Sequence, residues 1–513
     1  MSESLSIVHV AGEMAPLAKV GGLADMVGAL AMEQARRGHR VTVAIPAYRA
    51  VEVPAGWTRG TLPAVEVPWG MSDEPACFAV LEAPPFPGGG TVRVLLVGHD
   101  GERKFFNRAG VYDDPLTGEA YPDNAERFLF FCRAVLDGLK HFGERFDVLH
   151  AHDHQAAWTT CFVRTHEAYE IAFGGIATVF TIHNLGYQGI YDSWVLALAG
   201  LGREVFYPQS PFEFWGRVNY MKVGLAFADM LSTVSPRYAR EIQTAGEFGF
   251  GLEGVLARRN GDLHGILNGI DVDVWNPATD SHLPARYDAD HLERKAEVRA
   301  ALARSCGLPA NGMPIVGMVS RLVEQKGFDL IEEASDELMK LEARFVILGA
   351  GAPRYTELIR DLAAAHPTRV CYRSGYDEPF AHVIEGGADI FFMPSRYEPC
   401  GLNQMYSLRY GTVPVVHATG GLADTVTEFD PLTRSGNGFL FHRFDAVEMV
   451  AALRRALAIH KQRELWRALQ RTGMGQDFSW DRSAREYDTL YQQARARVAR
   501  GEARTLELVR ATI

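Results

Sequence analysis

The stretch Pro394–Val426, PSRYEPCGLNQMYSLRYGTVPVVHATGGLADTV, decides the fold of this chain. It is preceded by an apolar run, Ala388 to Pro394, which is typical of a buried strand that ends at a proline. The loop after this strand carries a single carboxylate, Glu398. Gly401 then opens a segment whose pattern predicts a helix reaching Tyr410.

A second strand and a second turn follow in the same stretch. Gly411 ends the predicted helix, Val413–Val416 is a β-branched strand, and Gly420 and Gly421 form a turn into another helix. Strand, charged loop, helix, strand, glycine loop and helix is the order of a parallel α/β sheet. Ligands of such sheets bind at the carboxyl ends of the strands. We therefore expect both loops of this stretch to face a ligand.

The bulk composition limits the class of protein. A length of 513 residues allows two domains or more, and a net charge of -11 without a block of Lys or Arg argues against a nucleic-acid partner. The N-terminus lacks the pattern of a signal peptide, and no window approaches a membrane span. Six scattered cysteines without a CxxC pair indicate reduced thiols. These features predict a soluble, cytoplasmic protein without a membrane partner.

The chain begins with a βαβ pattern. Ser6–Val10 is an apolar strand, Gly21 and Gly22 open a helix that reaches about Arg37, and Arg40–Ile45 is the next strand. A glycine turn at this place presents backbone N–H groups and a helix N-terminus to an anion. The turn is not GxGxxG, so a nicotinamide cofactor is not favoured, and a tight turn without a ligand is the alternative.

The same alternation continues and then restarts after a break. Residues 51–100 are rich in Pro and Gly and predict hairpins or an insertion, and turn residues at Asn268 and Pro277 mark a domain boundary. We expect domains at 1–270 and 271–479, with a helical tail at 480–513. Further strands are predicted at Phe146–His150, Thr178–Ile182, Met230–Val234, Ile315–Val319, Phe345–Leu348, Arg369–Tyr372 and Ile390–Met393, and further helices at Ala125–Lys140, Asn219–Ala228, Gly327–Lys340 and Trp480 to about Arg500. The motif GGLAD occurs once in each half, which fits an α/β fold of two Rossmann-like domains facing across a cleft.

Two cations follow a predicted strand in the second half. Arg321 and Lys326 lie five residues apart, between the strand and Gly327. Fixed positive charges at this place suit a diphosphate whose negative charge grows as it leaves. Salt bridges on the surface are the alternative.

Histidines are concentrated in two places of the first half. His150-Ala-His152-Asp153-His154 resembles the hydrolase pattern HxHxDH, but the spacing is one residue short, and we expect no metal. Asp153 is interpreted as a carboxylate that binds a ligand or holds a loop. His183 follows a strand and precedes a glycine-bearing loop, where it is either functional or a core histidine.

Eight motifs in this order, spanning nearly the whole chain, carry a family resemblance. They are KVGGLAD, AHD, TIHNLGYQG, TVSP, LNGIDVDVW, SRLVEQKG, PSRYEPCGLNQMYSLRYGTVPVV and TGGLADTV. They resemble the bacterial glycogen synthase and starch synthase family. The resemblance implies the GT-B fold, with the last helix returning to the N-terminal domain. It also implies transfer of glucose from ADP-glucose to the non-reducing end of an α-1,4-glucan acceptor, with retention of the anomer and without a cofactor or metal.

The resemblance also implies a set of site residues. Those implied in the first domain are Lys19, Gly21 and Gly22 near the sugar and diphosphate, and Asp153 and His183 around the glucose. Those implied around the second domain are Asn268 in the active site, Arg321 and Lys326 on the diphosphate, Glu398, Cys400 and Gly401 beside the sugar, Tyr406 where related transferases often carry a glutamate, and Gly420, Gly421 and Leu422 over the phosphates. The family mechanism is front-face attack, in which the backbone carbonyl of His183 supports the oxocarbenium ion.

The chain departs from the family pattern at two notable positions. Val20 replaces a threonine, which is a mild change, and His154 replaces a tryptophan, which puts the packing near the acceptor in question. Three alternatives stay open. The chain is a related retaining transferase that uses UDP-glucose or another acceptor, a binding protein that has lost turnover, or a metal hydrolase.

Overall fold

A computed structural model describes residues 3–244, 246–309 and 312–502. The chain forms two compact units. The first comprises the residues up to Val234, the segment Ala239–Ile266 and the segment that begins at Trp480. The second comprises Ser235–Tyr238 and Leu267–Ser479.

Strands and helices alternate along most of the chain. The strands are β1 (Ser6–Val10), β2 (Arg40–Pro46), β3 (Thr58–Trp69), β4 (Ser72–Glu82), β5 (Thr91–His99), β6 (Val148–His152), β7 (Ala177–Ile182), β8 (Ile190–Tyr191), β9 (Glu213–Phe214), β10 (Arg217–Asn219), β11 (Met230–Thr233), β12 (Leu263–Gly265), β13 (Ile315–Val319), β14 (Arg344–Gly349), β15 (Val370–Ser374), β16 (Ile390–Met393), β17 (Val413–His417) and β18 (Phe439–Phe441). The helices are α1 (Gly22–Arg36), α2 (Asn124–Lys140), α3 (Asp153–Thr165), α4 (Glu167–Phe173), α5 (Val195–Leu198), α6 (Tyr220–Phe227), α7 (Pro236–Glu241), α8 (Glu253–Arg258), α9 (Lys295–Ser305), α10 (Phe328–Glu333), α11 (Ser335–Lys340), α12 (Pro353–Ala365), α13 (Glu378–Gly387), α14 (Asn403–Arg409), α15 (Gly420–Thr425), α16 (Ala446–His460), α17 (Arg463–Met474) and α18 (Trp480–Ala499).

The first unit is built on a nine-stranded sheet in the order β12-β11-β7-β6-β1-β2-β5-β4-β3. The strands from β12 to β5 run parallel, and the hairpin β3–β4 adds an antiparallel edge. This edge occupies the region 51–100, where hairpins are predicted. Every residue of β1, β6 and β7 is buried, as expected for parallel strands covered on both faces. The small sheet β8-β10-β9 lies in the same unit.

The second unit is built on a six-stranded parallel sheet in the order β15-β14-β13-β16-β17-β18. Its core is apolar on both faces of the sheet. The strands predicted around the stretch Pro394–Val426 are β16 and β17, which pair in parallel register from Ile390 with Val413 to Met393 with Val416. Because β13, β16 and β17 are neighbours, the loops at their carboxyl ends lie at one edge of the sheet.

The C-terminal helix α18 belongs to the first unit. Trp480, Tyr487 and Tyr491 are buried in a core that also contains residues of β1 and α1. Arg37, at the end of α1, binds Asp488 of α18 at 2.8 Å and Asp481 at 2.9 Å. Apolar burial and partly buried ion pairs thus hold the helix on this unit.

Two predicted elements differ from those observed. The strand predicted at Phe146–His150 is β6, which begins at Val148 and runs to His152. His150 and His152 fit in this buried strand because their ring nitrogens are hydrogen-bonded. The helix predicted at Gly327–Lys340 is divided at Ala334 into α10 and α11. Within the described part of the chain, no helix is both long and apolar enough to cross a membrane.

Candidate active site

In the first unit, the predicted residues lie after three neighbouring parallel strands. The loop with Lys19, Gly21 and Gly22 follows β1, Asp153 follows β6, and His183 follows β7. Since β7, β6 and β1 are adjacent in the sheet, these residues belong to one carboxyl edge. Lys19 and His183 are 164 positions apart in the sequence, and the order of the strands in the sheet brings their loops together.

Asp153 holds the backbone of the loop after β7. It is the first residue of α3 and has a left-handed backbone with φ 53°. Its Oδ1 accepts the His183 N–H at 2.8 Å, and its carboxylate also accepts the N–H of Asn184. Burial raises the pKa of Asp153 to about 7. The carboxylate therefore fixes the peptide plane that precedes His183, as the loop-fixing interpretation expects.

Glu13 is a site residue that the sequence analysis missed. Its Oε2 accepts the N–H groups of Val20 at 2.5 Å and Gly21 at 3.2 Å. Burial raises the pKa of this carboxyl to about 7. Two of the amides that the glycine turn was expected to offer to an anion are thus bound by Glu13. The available signal was an acidic residue in an apolar loop directly after a buried strand.

The glycine turn leaves open space beside the start of α1. A Cβ added at Gly22 would meet no heavy atom within 4 Å. Lys19 is exposed, and its Nζ lies 2.8 Å from Asp25 Oδ1. The packing of the chain gives no reason for glycine at position 22, so the open space is available to a ligand.

His183 is nearly buried and belongs to a group of histidines. Its Nε2 lies 3.1 Å from His152 Nδ1, and burial lowers the pKa of His183 to about 3. His9, His150 and His152 are fully buried, and one ring nitrogen of each lies within 4.8 Å of the others, close enough to hold a metal ion. The contacts of these rings decide between a metal site and a hydrogen-bond network.

His154, which stands where the family has tryptophan, supports the loop after His183. Its Nδ1 donates to the Tyr187 carbonyl at 3.0 Å, and its ring contacts Phe128 edge-on. A side chain at Gly189 would collide with this ring at 2.5 Å. The smaller, polar ring is therefore accommodated by a hydrogen bond to the loop.

In the second unit, the predicted residues lie at the carboxyl ends of β13, β16 and β17. Two glycines allow the three loops to pack directly on each other. Gly327 has φ 78°, and a Cβ there would lie 2.0 Å from the Pro394 carbonyl oxygen. Gly420 has φ 44°, and a Cβ there would lie 1.8 Å from the Glu398 carbonyl oxygen. Any side chain at either position would push the loops apart.

Lys326 and Glu398 form a direct ion pair at this edge. Lys326 Nζ lies 2.5 Å from Glu398 Oε2, and the Ser395 hydroxyl donates to the same oxygen at 2.9 Å. The Glu398 side chain is 8% exposed and the Lys326 side chain 18%. Arg321, on the loop after β13, is exposed, and its Nη2 lies 3.5 Å from Gln325 Oε1. Lys326 is thus paired with Glu398 at the carboxyl ends of these strands, whereas Arg321 is exposed to solvent.

Asn268 and Cys400 contact each other in the second unit. The Asn268 N–H donates to the Cys400 thiol, and burial raises the pKa of that thiol to about 12. Asn268 Oδ1 is buried and has no hydrogen-bond partner within the described residues. A buried acceptor left in this condition is costly unless a ligand satisfies it.

The remaining predicted residues of the second unit pack against the chain itself. Tyr406 stacks on Trp275 with ring centroids 3.8 Å apart, and His382 also stacks on Trp275 at 3.8 Å. Leu422 is fully buried in the apolar core, so its side chain faces away from any ligand. Gly401, with φ 69°, and Gly421 belong to the loops that pack together at the edge.

The chain matches two family models. The model described as starch synthase catalytic domain matches residues 6–258, and the model described as glycosyl transferases group 1 matches residues 307–471. Together they cover both units.

Curated relatives and solved structures match the chain over nearly its whole length. A glycogen synthase of Koribacter versatilis is 44% identical over 96% of this chain and 98% of the relative, and one of Anaeromyxobacter sp. is 46% identical over 96% of this chain and 100% of the relative. The catalytic domain of starch synthase IV from Arabidopsis thaliana, solved bound to ADP and acarbose, is 34% identical with a TM-score of 0.87 and covers 96% of this chain and 100% of its own. A sucrose-phosphate synthase of Thermosynechococcus elongatus, 18% identical with a TM-score of 0.58 over 96% of this chain and 99% of its own, shares the fold.

Proposed function

The chain belongs to the glycogen synthase and starch synthase family of glucosyltransferases, and we propose that it transfers glucose from ADP-glucose to the non-reducing end of an α-1,4-glucan with retention of configuration. Its fold is the GT-B fold. The observation that carries the choice of donor and acceptor is the starch synthase structure bound to ADP and acarbose, which matches 96% of the chain.

The charges of the second unit stabilise the leaving group in this proposal. Arg321 and Lys326 bind the diphosphate, whose negative charge grows as the bond to the sugar breaks. Interactions that strengthen in the transition state raise turnover more than they tighten ground-state binding. Glu398 orients the Lys326 ammonium and holds sugar hydroxyls, and Ser395 keeps this carboxylate in place.

The first unit supplies the group that faces the reacting carbon. The His183 backbone carbonyl supports positive charge on the sugar ring, and Asp153 holds that part of the loop by accepting its N–H groups. Because Asp153 is engaged in this way, it does not act as the nucleophile of a double displacement. Retention then follows from attack on the same face that the diphosphate leaves.

Several neutral groups complete the proposed binding surface. Gly22 leaves room for the donor beside Lys19, and Asn268 Oδ1 accepts a hydrogen bond from a ligand hydroxyl. In the second unit, the Cys400 thiol stays neutral because burial raises its pKa to about 12. The other backbone and ring contacts are assigned to Gly401, Tyr406, Gly420, Gly421 and the backbone of Leu422, whereas the Gly21 N–H stays bound to Glu13.

We place the reaction in the cytoplasm, and no metal takes part in it. The six cysteines are free thiols, as in proteins of reducing compartments. The positive charge that a diphosphate requires is available from Arg321 and Lys326.

Transfer from ADP-glucose and UDP-glucose to glycogen, measured side by side, tests the proposal. We expect ADP-glucose to be the better donor and the new linkage to be an α-1,4 bond that an α-specific glucanase removes. Faster transfer from UDP-glucose would overturn the donor assignment, and a β-linked product would overturn retention. Binding of ADP-glucose without transfer to glycogen would overturn the assignment as an active synthase.

A further inference from the structure

Three histidines of the first unit form a hydrogen-bonded chain that starts at His183. His183 Nε2 lies 3.1 Å from His152 Nδ1, and His152 Nε2 lies 3.0 Å from His9 Nδ1. His9 Nε2 then lies 2.8 Å from the side-chain oxygen of Gln34, on helix α1. His152, His9 and Gln34 are 0% exposed. The chain therefore connects a proposed active-site residue with the interior of the unit.

A second branch anchors the amide of Gln34. Gln34 Nε2 donates to the Tyr491 hydroxyl, on helix α18, at 3.1 Å. The Tyr491 hydroxyl lies 2.7 Å from His150 Nδ1, and His150 Nε2 lies 2.5 Å from the Thr181 hydroxyl. The Gln34 oxygen faces His9, and the Gln34 amide nitrogen faces Tyr491.

The end at Gln34 fixes the direction of every hydrogen bond in the first branch. An amide oxygen only accepts, so His9 Nε2 carries a proton. A neutral imidazole has one donor and one acceptor, so His9 Nδ1 accepts from His152 Nε2–H. By the same rule, His152 Nδ1 accepts from His183 Nε2–H. The rings stay neutral because burial lowers the pKa of His9 to about 4 and that of His183 to about 3, and holds that of His152 well below its usual value.

We propose that His152, His9, Gln34 and Tyr491 are positioning residues that fix His183 as the neutral Nε2–H tautomer, so that its Nδ1 is a hydrogen-bond acceptor for a substrate hydroxyl. This group is called the tautomer relay below. The assignment of a substrate hydroxyl rests on the proposed function, whereas the proton positions do not. His183 neither donates a proton from Nδ1 nor acts as an acid, and its ring orients the sugar whose C1 its backbone carbonyl faces.

The relay also explains the histidines that resemble a metal site. The ring nitrogens of His9 and His152 are both bound within the relay, and those of His150 are bound by Tyr491 and Thr181. A metal ion would need lone pairs that these hydrogen bonds occupy. We therefore assign these histidines to a hydrogen-bond network that fixes proton positions, and not to a metal site.

Neutron crystallography of the deuterated full-length protein without substrate tests the proton positions directly. We expect deuterium on Nε2 of His9, His152 and His183 and none on their Nδ1 atoms. Deuterium on Nδ1 of His183, or a metal ion among the histidines, would overturn the proposal. This result does not depend on whether the protein uses ADP-glucose, so it separates a failure of the relay from a failure of the proposed function.

Variants of Gln34 test the consequence for turnover. Gln34→Met removes both hydrogen bonds at similar length, and we expect kcat to fall about tenfold or more while the donor KM changes by less than about threefold. Gln34→Glu, neutral when buried, still offers a carbonyl oxygen to His9 and an O–H to Tyr491, and it should restore most of kcat. Equal losses in Gln34→Met and Gln34→Glu, or a full rate in Gln34→Met, would overturn the relay.

A buried tyrosine outside the relay provides the matched control. Tyr491→Phe removes the hydroxyl that anchors Gln34, and kcat should fall. Tyr169→Phe removes the hydroxyl of another buried tyrosine, which donates to Asp137 at 2.9 Å on the same unit, and kcat should not change. Equal kcat values for the two tyrosine variants would contradict the role of Tyr491.

Discussion

Lys326 and Glu398 lie 72 positions apart in the sequence, yet they form one ion pair in the fold. Removal of either leaves its partner charged, mostly buried and unpaired, which is costly. At the scale of single residues, the proposed chemistry therefore depends on the ion pair and not on either charge alone. The pair also shows why sequence reasoning found both residues without finding their contact.

A double-mutant cycle tests this pair. Lys326→Ala and Glu398→Ala should each lower turnover by on the order of 10²–10³, and the double variant should lose far less than the product of the two effects. Turnover at saturating donor is the measurement. Independent effects that multiply would contradict the pairing.

An exposed ion pair of the second unit is the control for the cycle. Lys461 Nζ lies 2.8 Å from Glu342 Oε2, and both side chains are more than half exposed. Alanine at either position should leave turnover unchanged, since exposed pairs contribute little.

Asp153 connects burial with pH dependence. Its pKa is raised to about 7, so the folded state holds a proton that the unfolded chain loses near pH 4. Between about pH 4 and pH 7 the native state binds more protons, and its stability falls as the pH rises. Asp153→Asn removes this contribution. The Tm of the variant relative to that of the wild type should therefore rise as the pH increases over this range, and the turnover of the variant should be lower than that of the wild type.

Thermal unfolding at several pH values checks the expectation for Asp153. Asp192 is an exposed aspartate of the same unit, and for Asp192→Asn the difference in Tm from wild type should stay constant. A constant Tm difference for Asp153→Asn as well would show that the buried carboxyl is ionised throughout.

At the scale of secondary-structure elements, the two GGLAD motifs have different physical roles. Gly22 starts α1 beside open space, whereas its counterpart in the second motif, Gly421 of α15, packs on the loop after β16, where an added Cβ would lie 2.0 Å from the Cys400 carbonyl oxygen. The repeat predicted a similar glycine turn in each half. It did not predict which turn is required by packing, because that depends on the neighbouring strand.

Alanine substitutions distinguish the two turns. Gly22→Ala should fold normally and keep its Tm, since nothing lies within 4 Å of the added carbon, but it should raise the donor KM. Gly420→Ala should lower the Tm, because the added carbon would lie 1.8 Å from a carbonyl oxygen. Unchanged kinetics in Gly22→Ala would argue against a ligand beside α1.

Most of the parallel strands were predictable because they are short apolar runs before polar loops, whereas β3, with 12 mostly exposed residues, lacks this pattern. The placement of the candidate residues at the carboxyl ends of the strands could be predicted from the alternation of strands and helices alone. Glu13 was missed because its role depends on a turn that folds back on it, and the relay was missed because Gln34 and Tyr491 lie on helices 457 positions apart. Local patterns find elements and their ends, and contacts of long sequence separation need the fold.

At the scale of the whole molecule, side chains of the protein supply all the positive charge in the proposed mechanism. Treatment with a chelator should therefore leave the rate of transfer from ADP-glucose unchanged, and added zinc or magnesium should have no effect. Loss of activity that a divalent metal restores would contradict this assignment and would favour a metal at the buried histidines.

The most direct measurement is the turnover of Arg321→Ala with ADP-glucose and glycogen, together with the Kd for ADP-glucose. If the arginine stabilises the departing diphosphate, kcat should fall by on the order of 10²–10³ while the Kd changes much less. Arg354→Ala, which removes an exposed arginine paired with Glu332 on the same unit, should keep the wild-type rate. A folded Arg321→Ala protein that retains more than about half of the wild-type kcat would contradict the account.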